Sequence, residues 1–249
     1  MVIIEEAKEK LQKEGYCTFE LKDFNTQYYN LLEKIKYKIS DNNYLENFNA
    51  IKFDYHNIKS NIHISDRYVF KTFEEATVNK EELLKNYDYE NIHQIWLMSD
   101  DIPDVLLTVS NINFDTIFYD ILEYFYKETK PYVKIAQQWT CYSEGCFLKD
   151  HNDGQGVEYQ NTCAILIYLN EEWDESWGGN LILRNTKNQK DDIVEYKVMP
   201  TFGKVAIIDL KTFDISHAVE CVNGNHNRCT ILAFATSTIP KPKPKPKYI

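Results

Sequence analysis

The sequence predicts a mainly β domain with N-terminal helices (α+β), its core an eight-strand sandwich or jelly-roll barrel. Three observations lead there. From Tyr132 onward the chain breaks into short β-like runs punctuated by turn residues, among them Gly145, Gly154, Gly178–Gly179, Gly203 and Gly224. No helix-length segment lies between those runs, which argues against a parallel α/β sheet. Before Tyr132 the texture differs, being rich in Lys, Glu, Asn and Tyr at helical spacing. We therefore divide the chain into a helical and mixed support region, 1–130, belonging to the same domain as the β core at 131–238, and a Lys-Pro tail at 239–249.

The elements follow in order. Ala7 and Leu11 sit at helical spacing within Glu5–Lys13, and Gly15 is a helix stop. Tyr16–Leu21 reads as a short strand. Thr26–Ile39 places Tyr29, Leu32, Ile35 and Ile39 on one stripe. Residues 41–110 read as short strands and loops with a helix near Glu81–Asn86. The strongest helical pattern runs from Asn113 to Thr129, where Ile117, Ile121, Leu122 and Phe125 recur and Pro131 closes the segment. The strands of the core are expected at Val133–Tyr142, Phe147–Asp153, Cys163–Leu169, Asn180–Arg184, Ile193–Val198, Lys204–Leu210, His217–Val222 and Cys229–Thr236.

Composition narrows the function classes. With 249 residues, 43% hydrophobic and 27% charged, the chain can bury a sizeable core. A net charge of −10 argues against a general nucleic-acid or anionic-membrane binder, whose affinity comes from Lys and Arg on phosphates. No apolar run approaches the roughly 20 residues that span a bilayer, and the start, MVIIEEAKEKLQKEG, lacks a signal-peptide pattern. Six cysteines show no CxxC, and four fall among apolar residues of expected strands, so the reading is a reduced, cytoplasmic protein.

The chemistry-bearing residues lie in the β region. His151 and Asp153 are two apart at a strand end, so both side chains leave one face. His217, opening a later strand, can supply a third ligand. Two imidazoles and a carboxylate leave open coordination positions, the facial arrangement suited to iron(II) with a chelating co-substrate and O2. An HxD pair alone is weak, and a turn or surface role is the ordinary explanation for it. Order adds specificity, because Arg228 follows on the next strand. A guanidinium inside a barrel needs an anion, and its planar fork suits a carboxylate. Thr230, on the same strand face, can add a hydroxyl. A strand-start arginine with a local salt bridge is the alternative.

With these residues in place, the sequence resembles the iron(II)/2-oxoglutarate oxygenases, within them the prolyl-4-hydroxylase-like group. The likeness spans about Gln138 to Phe234. It runs through Tyr142-Ser-Glu-Gly145, His151-Asn-Asp153, Ile167-Tyr-Leu-Asn170, Trp173 and Gly178-Gly179-Asn-Leu181. It ends with Pro200-Thr-Phe-Gly203, His217-Ala-Val219 and Arg228-Cys-Thr230. The resemblance implies a double-stranded β-helix (jelly roll), iron on His151, Asp153 and His217, and the distal 2-oxoglutarate carboxylate on Arg228, with Thr230 and Tyr142 as further contacts. It implies Fe(2+), 2-oxoglutarate and O2, with ascorbate as an accessory, and hydroxylation of a protein or peptide, proline foremost, with release of succinate and CO2. Two departures stand out. Leu148 occupies the position three before the first histidine, where such enzymes often carry tyrosine, and Tyr168 is expected to point outward if Ile167 faces in. The eleven residues from His217 to Arg228 suggest a bulge or long turn around Asn223–Asn227.

Rival readings are an oxygenase acting on a small molecule or another protein side chain, a silent jelly-roll binding protein, and a cupin-like isomerase, which tends to need more histidines. Trp139, Trp173 and Trp177 are expected to pack and not to line a substrate wall. Asp209 and Asp214 fall between strands, where turn roles are commoner. His226 is expected in an exposed turn, and His56, His63 and His93 lack a partner at ligand spacing. The tail, KPKPKPKYI, reads as an extended, solvated polyproline-like segment, and also as a sequence that a prolyl hydroxylase could modify. The sequence carries no signal for an oligomeric state.

Overall fold

In a computed structural model of the chain, the structure describes residues 2–40, 50–56, 65–70, 92–99, 114–127, 133–153, 162–185, 195–213 and 215–237. The expected helix near Glu81–Asn86, residues His63 and Asp214, and the Lys-Pro tail lie outside them.

Helix α1 spans Val2–Glu14 and buries Ile4, Ala7 and Leu11, one face at three- and four-residue steps. Gly15 ends it with φ +84°, its N–H donating to the Leu11 carbonyl at 2.9 Å. The Gly15 carbonyl then accepts from Asp209 N at 2.7 Å, which locks the helix end to the sheet. A Cβ there would lie 2.4 Å from Phe213 Cγ. Gly15→Ala should therefore cost roughly 2 kcal/mol or more, from left-handed backbone strain plus the clash. At about 2–4 °C per kcal/mol for a chain of this size, calorimetry would read a clear fall in Tm.

Strand β1 (Tyr16–Glu20) and the single turn α2 (Leu21–Phe24) lead to α3 (Thr26–Ser40). Asn25 Oδ1 accepts from Gln27 N and Tyr28 N, capping α3, and Leu32 of its apolar stripe is fully buried. Strands β2 (Ala50–His56), β3 (Ser65–Phe70) and β4 (Ile92–Ser99) follow, then α4 (Phe114–Tyr126), which buries Phe114, Ile117, Phe118, Ile121, Leu122 and Phe125.

The β core comprises β5 (Val133–Tyr142), β6 (Phe147–His151), β7 (Cys163–Tyr168), β8 (Leu181–Asn185), β9 (Glu195–Val198), β10 (Lys204–Asp209), β11 (Ile215–Val219) and β12 (Arg228–Ser237). Each of the eight expected strands is present within three residues at either end, the largest difference being at β11, which ends at Val219 and not at Val222. Strand neighbours run β1-β10-β7-β12-β5-β4-β6-β11-β8-β9, and every ladder among them is antiparallel. Because β4 pairs with both β5 and β6, it joins a major sheet, β1-β10-β7-β12-β5, to a minor one, β6-β11-β8-β9.

One face of the major sheet packs under the helices. Phe19 of β1 stacks on Phe125 of α4 at 5.2 Å, and Lys8 of α1 donates to the Tyr124 carbonyl at 2.8 Å. Each large apolar side chain buried there contributes about 1.5–3 kcal/mol. The other face of the sheet lines a cavity, and that face carries the site. No helix among the described residues is long and apolar enough to cross a membrane.

Candidate metal and anion site

The cavity, about 240 Å³, lies between the two sheets. Strands alternate their side chains, so even-numbered positions of β5, β7 and β12 face it: Gln138, Thr140 and Tyr142; Ala164 and Leu166; Arg228, Leu232 and Phe234. From the minor sheet come Leu148, His151, Leu181, His217 and Val219, with Asp153 just beyond β6.

A β-bulge aims the first histidine. His217 pairs with His151 and Val219 with Leu148, so β6 advances three residues while β11 advances two. Residues three apart on a regular strand face opposite sides; the extra residue lets both Leu148 and His151 line the cavity. Asp150, next to His151, instead turns outward to Arg184 at 2.6 Å, and Arg184 also holds Glu195 at 2.9 Å.

His151, Asp153 and His217 then converge, with their candidate ligand atoms all within 4.8 Å of one another. His151 Nε2 lies 3.2 Å from Asp153 Oδ1, and His217 Nε2 lies 3.4 Å from Asp153 Oδ2. Nδ1–H of His151 donates to the Lys149 carbonyl at 3.0 Å, which fixes the ring so that Nε2 faces Asp153 and the cavity, the nitrogen that would ligate a metal once deprotonated. Electrostatics follow the depth. Burial opposes ionisation of Asp153, but hydrogen bonds from the two imidazoles outweigh it and hold the carboxyl well below its usual range. Burial also opposes charge on His151, where Asp153 prevails and raises the pKa. His217 is deeper, so burial wins, helped by the neighbouring imidazole, and its pKa is lowered. A carboxylate held ionised between two imidazoles, whose Nε2 atoms would be freed for ligation on deprotonation, is a donor set suited to a divalent cation with open positions.

Arg228, only 1% exposed, occupies the other end of the cavity. Its Nε donates to the Gly179 carbonyl at 2.7 Å and its Nη1 to Thr230 Oγ1 at 3.1 Å, while Nη2 lies 3.5 Å from the Tyr168 hydroxyl. The guanidinium sits between two rings, 5.0 Å from the centroid of Tyr142 and 5.1 Å from that of Tyr168. Burial keeps both phenols protonated, Arg228 notwithstanding. Among the described residues no carboxylate pairs with Arg228. A buried cation with neutral neighbours leaves donors for an incoming anion.

Register sets the distance between the two ends. Arg228 leans on Gly179, whereas His217 pairs with Leu183, four residues further along that chain, or about 13 Å at 3.3 Å per residue. On the facing sheet the same step along β12 leads from Arg228 to Leu232, which pairs with Gln138 and Leu166.

Other residues take different places. Tyr168 does not point outward as expected: Ala164 and Leu166 line the cavity, so its even-numbered face is the inner one, with the Tyr168 hydroxyl near Arg228. Strand β7 is buried on both faces, so hydrophobicity along it could not set its phase. Asp209 caps a turn, its Oδ1 accepting from Lys211 N and Thr212 N. His226 is half-buried, not exposed, and stacks on Trp177 at 3.6 Å between ring centroids. Trp139, Trp173 and Trp177 are absent from the cavity lining. His56 and His93 lie on β2 and β4. The interval before Arg228 is a loop through Val222, which bridges to Gly178, and Gly224. Sequence reasoning also missed the work of Asn170: its Oδ1 accepts from Cys229 N at 2.6 Å and its Nδ2 donates to the Pro200 carbonyl at 2.7 Å, pinning β12 beside Arg228.

A jelly roll with a His-Asp-His cluster at one level and a buried guanidinium at another is an arrangement suited to a divalent metal ion and an anionic ligand. Residues 137–235 match the 2OG-Fe(II) oxygenase superfamily, a family that implies Fe(2+), 2-oxoglutarate and O2. Among curated proteins, no sequence matches the chain. Solved structures share the fold. A Pseudomonas putida prolyl-4-hydroxylase is 14% identical with a TM-score of 0.53, over 93% of this chain and 97% of its own. A Trichoplax adhaerens prolyl hydroxylase, solved with a hypoxia inducible factor oxygen degradation domain peptide, is 12% identical with a TM-score of 0.55, over 93% and 87%. The non-heme alpha ketoglutarate dependent epimerase SnoN of nogalamycin biosynthesis is 8% identical with a TM-score of 0.56, over 95% and 83%.

Proposed function

We propose that this enzyme hydroxylates a peptidyl residue, proline foremost, with iron held by His151, Asp153 and His217 and 2-oxoglutarate anchored by Arg228. The observation that carries the reading is Arg228, buried without a carboxylate partner among the described residues, at the end of the cavity that the three candidate ligands face. Bound iron and 2-oxoglutarate supply the oxidising chemistry, in which O2 is consumed as the keto acid loses CO2 and becomes succinate.

The protein's own residues bind and orient. Arg228 offers its fork to the distal carboxylate, and the Tyr168, Thr230 and Tyr142 hydroxyls are placed to add hydrogen bonds. The Lys149 carbonyl keeps His151 in the ligating tautomer. Ala164, Leu166, Ile208, Leu232 and Phe234 form an apolar wall that keeps water from the reacting carbon.

Proline is favoured by the likeness to two prolyl hydroxylases and by that wall, which suits a pyrrolidine ring. A small-molecule substrate is the second reading, favoured by the similar fold of the epimerase SnoN of nogalamycin biosynthesis. The test is succinate release from 2-oxoglutarate with iron(II), ascorbate and O2. Wild-type protein should form succinate slowly without a substrate, and His151→Ala should form none. Equal rates in the two, with metal loading verified, would refute the site. Peptides with proline should accelerate release and gain the mass of one oxygen atom; acceleration by small metabolites alone would select the second reading.

A further inference from the structure

We propose that the Lys-Pro segment at 240–247 is a substrate of the chain's own active site, with Pro244 and Pro246 as the acceptors; this rests on the oxygenase reading above. The direction of β12 brings the described chain to its end on the metal side of the barrel. The strand starts at Arg228, deep beside Gly179, passes Leu232 and Phe234 on the cavity wall, and ends at Ser237. The chain therefore leaves the sheet on the metal side of the cavity, away from the anion end.

Reach selects among the prolines. The level of the His-Asp-His cluster is that of Leu232 and Gln138, five residues before Ser237, or about 17 Å along the strand. A chain spans at most about 3.3–3.6 Å per residue. Pro240, three residues past Ser237, extends no more than about 11 Å and falls short. Pro242, five residues past, reaches about 18 Å with nothing left over for reversing direction. Pro244 and Pro246, seven and nine residues past, have about 25 and 32 Å, enough to turn and return.

The chemistry agrees. A prolyl ring presents apolar C–H groups to Leu166, Leu232 and Phe234, and proline's missing N–H leaves only its carbonyl to satisfy. The Gln138 carboxamide, at the metal level, is a donor for that carbonyl. Four lysines complement the negative charge of a chain whose net charge is −10, and tethering raises the local concentration of the acceptor into roughly the millimolar range.

Atoms and electrons balance with the cofactors already named. A ring C–H bond becomes C–O–H, one oxygen atom of O2 entering the hydroxyl and the other the succinate carboxylate. Loss of CO2 from 2-oxoglutarate supplies two electrons and the C–H bond the other two for reduction of O2.

The experiment uses the full chain with iron(II), ascorbate, 2-oxoglutarate and O2, and follows C-terminal fragments by mass spectrometry and succinate in the same samples. Expected is one added oxygen on Pro244, Pro246 or both, absent in His151→Ala, with a fractional rate unchanged by about tenfold dilution of enzyme. Replacing both prolines by alanine should abolish oxygen addition and leave the slow, uncoupled succinate release intact. Succinate formed with an unmodified tail would overturn self-hydroxylation while leaving the oxygenase reading standing. Failure of metal-loaded wild-type protein to form succinate would overturn the reading itself. Oxygen on Pro240, or a fractional rate that falls in proportion to dilution, would overturn the intramolecular geometry.

Discussion

Asp153→Asn should lower iron affinity about a hundredfold or more, a change of nearly 3 kcal/mol at 1.4 kcal/mol per decade. The substitution keeps shape and removes charge. Asp153 is the anion of the candidate ligand set, set between two imidazoles that bring none. Even at an effective dielectric constant near 20, one unit charge at 4 Å is worth about 4 kcal/mol, so a lost carboxylate outweighs any gain from a neutral amide. Succinate release at limiting iron should fall in step, with partial recovery at excess iron. Unchanged iron affinity by calorimetry would remove Asp153 from the ligand set. The metal-free proteins should differ too. The Asp153 carboxyl is depressed by its imidazole partners, so its stabilising contribution is complete above the usual carboxylate range and is lost only as pH falls through the lower folded value. The variant should therefore be the less stable near neutral pH, with the gap closing only in strong acid.

Arg228→Met should raise the apparent KM for 2-oxoglutarate about a hundredfold or more, yet cost the fold little. Charge-assisted hydrogen bonds are worth about 1.5–3 kcal/mol each, and a fork meeting a carboxylate makes two. For the empty protein the balance differs. A buried guanidinium with no carboxylate nearby among the described residues contributes little net stability, and an apolar side chain of similar length often replaces buried charge at no loss. The cost that remains is the Gly179 carbonyl, which would lose its 2.7 Å donor. Arg228→Lys should fall between, keeping charge but losing the fork. Titration of KM against Tm for the three proteins checks this: a large fall in Tm with KM unchanged would make Arg228 a structural residue.

Much of this was legible in the residues, for identifiable reasons. The strand of Val133–Tyr142 and the pocket order His151, Asp153, His217, Arg228 could be read because turn glycines delimit the runs and the ligand types are chemically restrictive. The phase of β7 was not legible, since a strand buried on both faces has no alternation, and so Tyr168 was placed on the wrong side. The bulge between Leu148 and His151 was equally hidden, because it depends on the partner strand and leaves no mark in the composition of β6. The role of Asn170 was hidden because its two backbone partners, Cys229 and Pro200, are far away in sequence.

The pairing of Val219 with Leu181 and His217 with Leu183 has a consequence for selectivity. The gap between guanidinium and metal cluster is graduated in whole steps of a hydrogen-bonded ladder, so no single side chain owns it. On the proposed reading, keto acids of different chain length would be gauged against a rigid scale that only slippage of one strand past another could recalibrate. Point changes in the lining would alter what fits alongside, while the permitted length of the co-substrate would stay a property of the backbone.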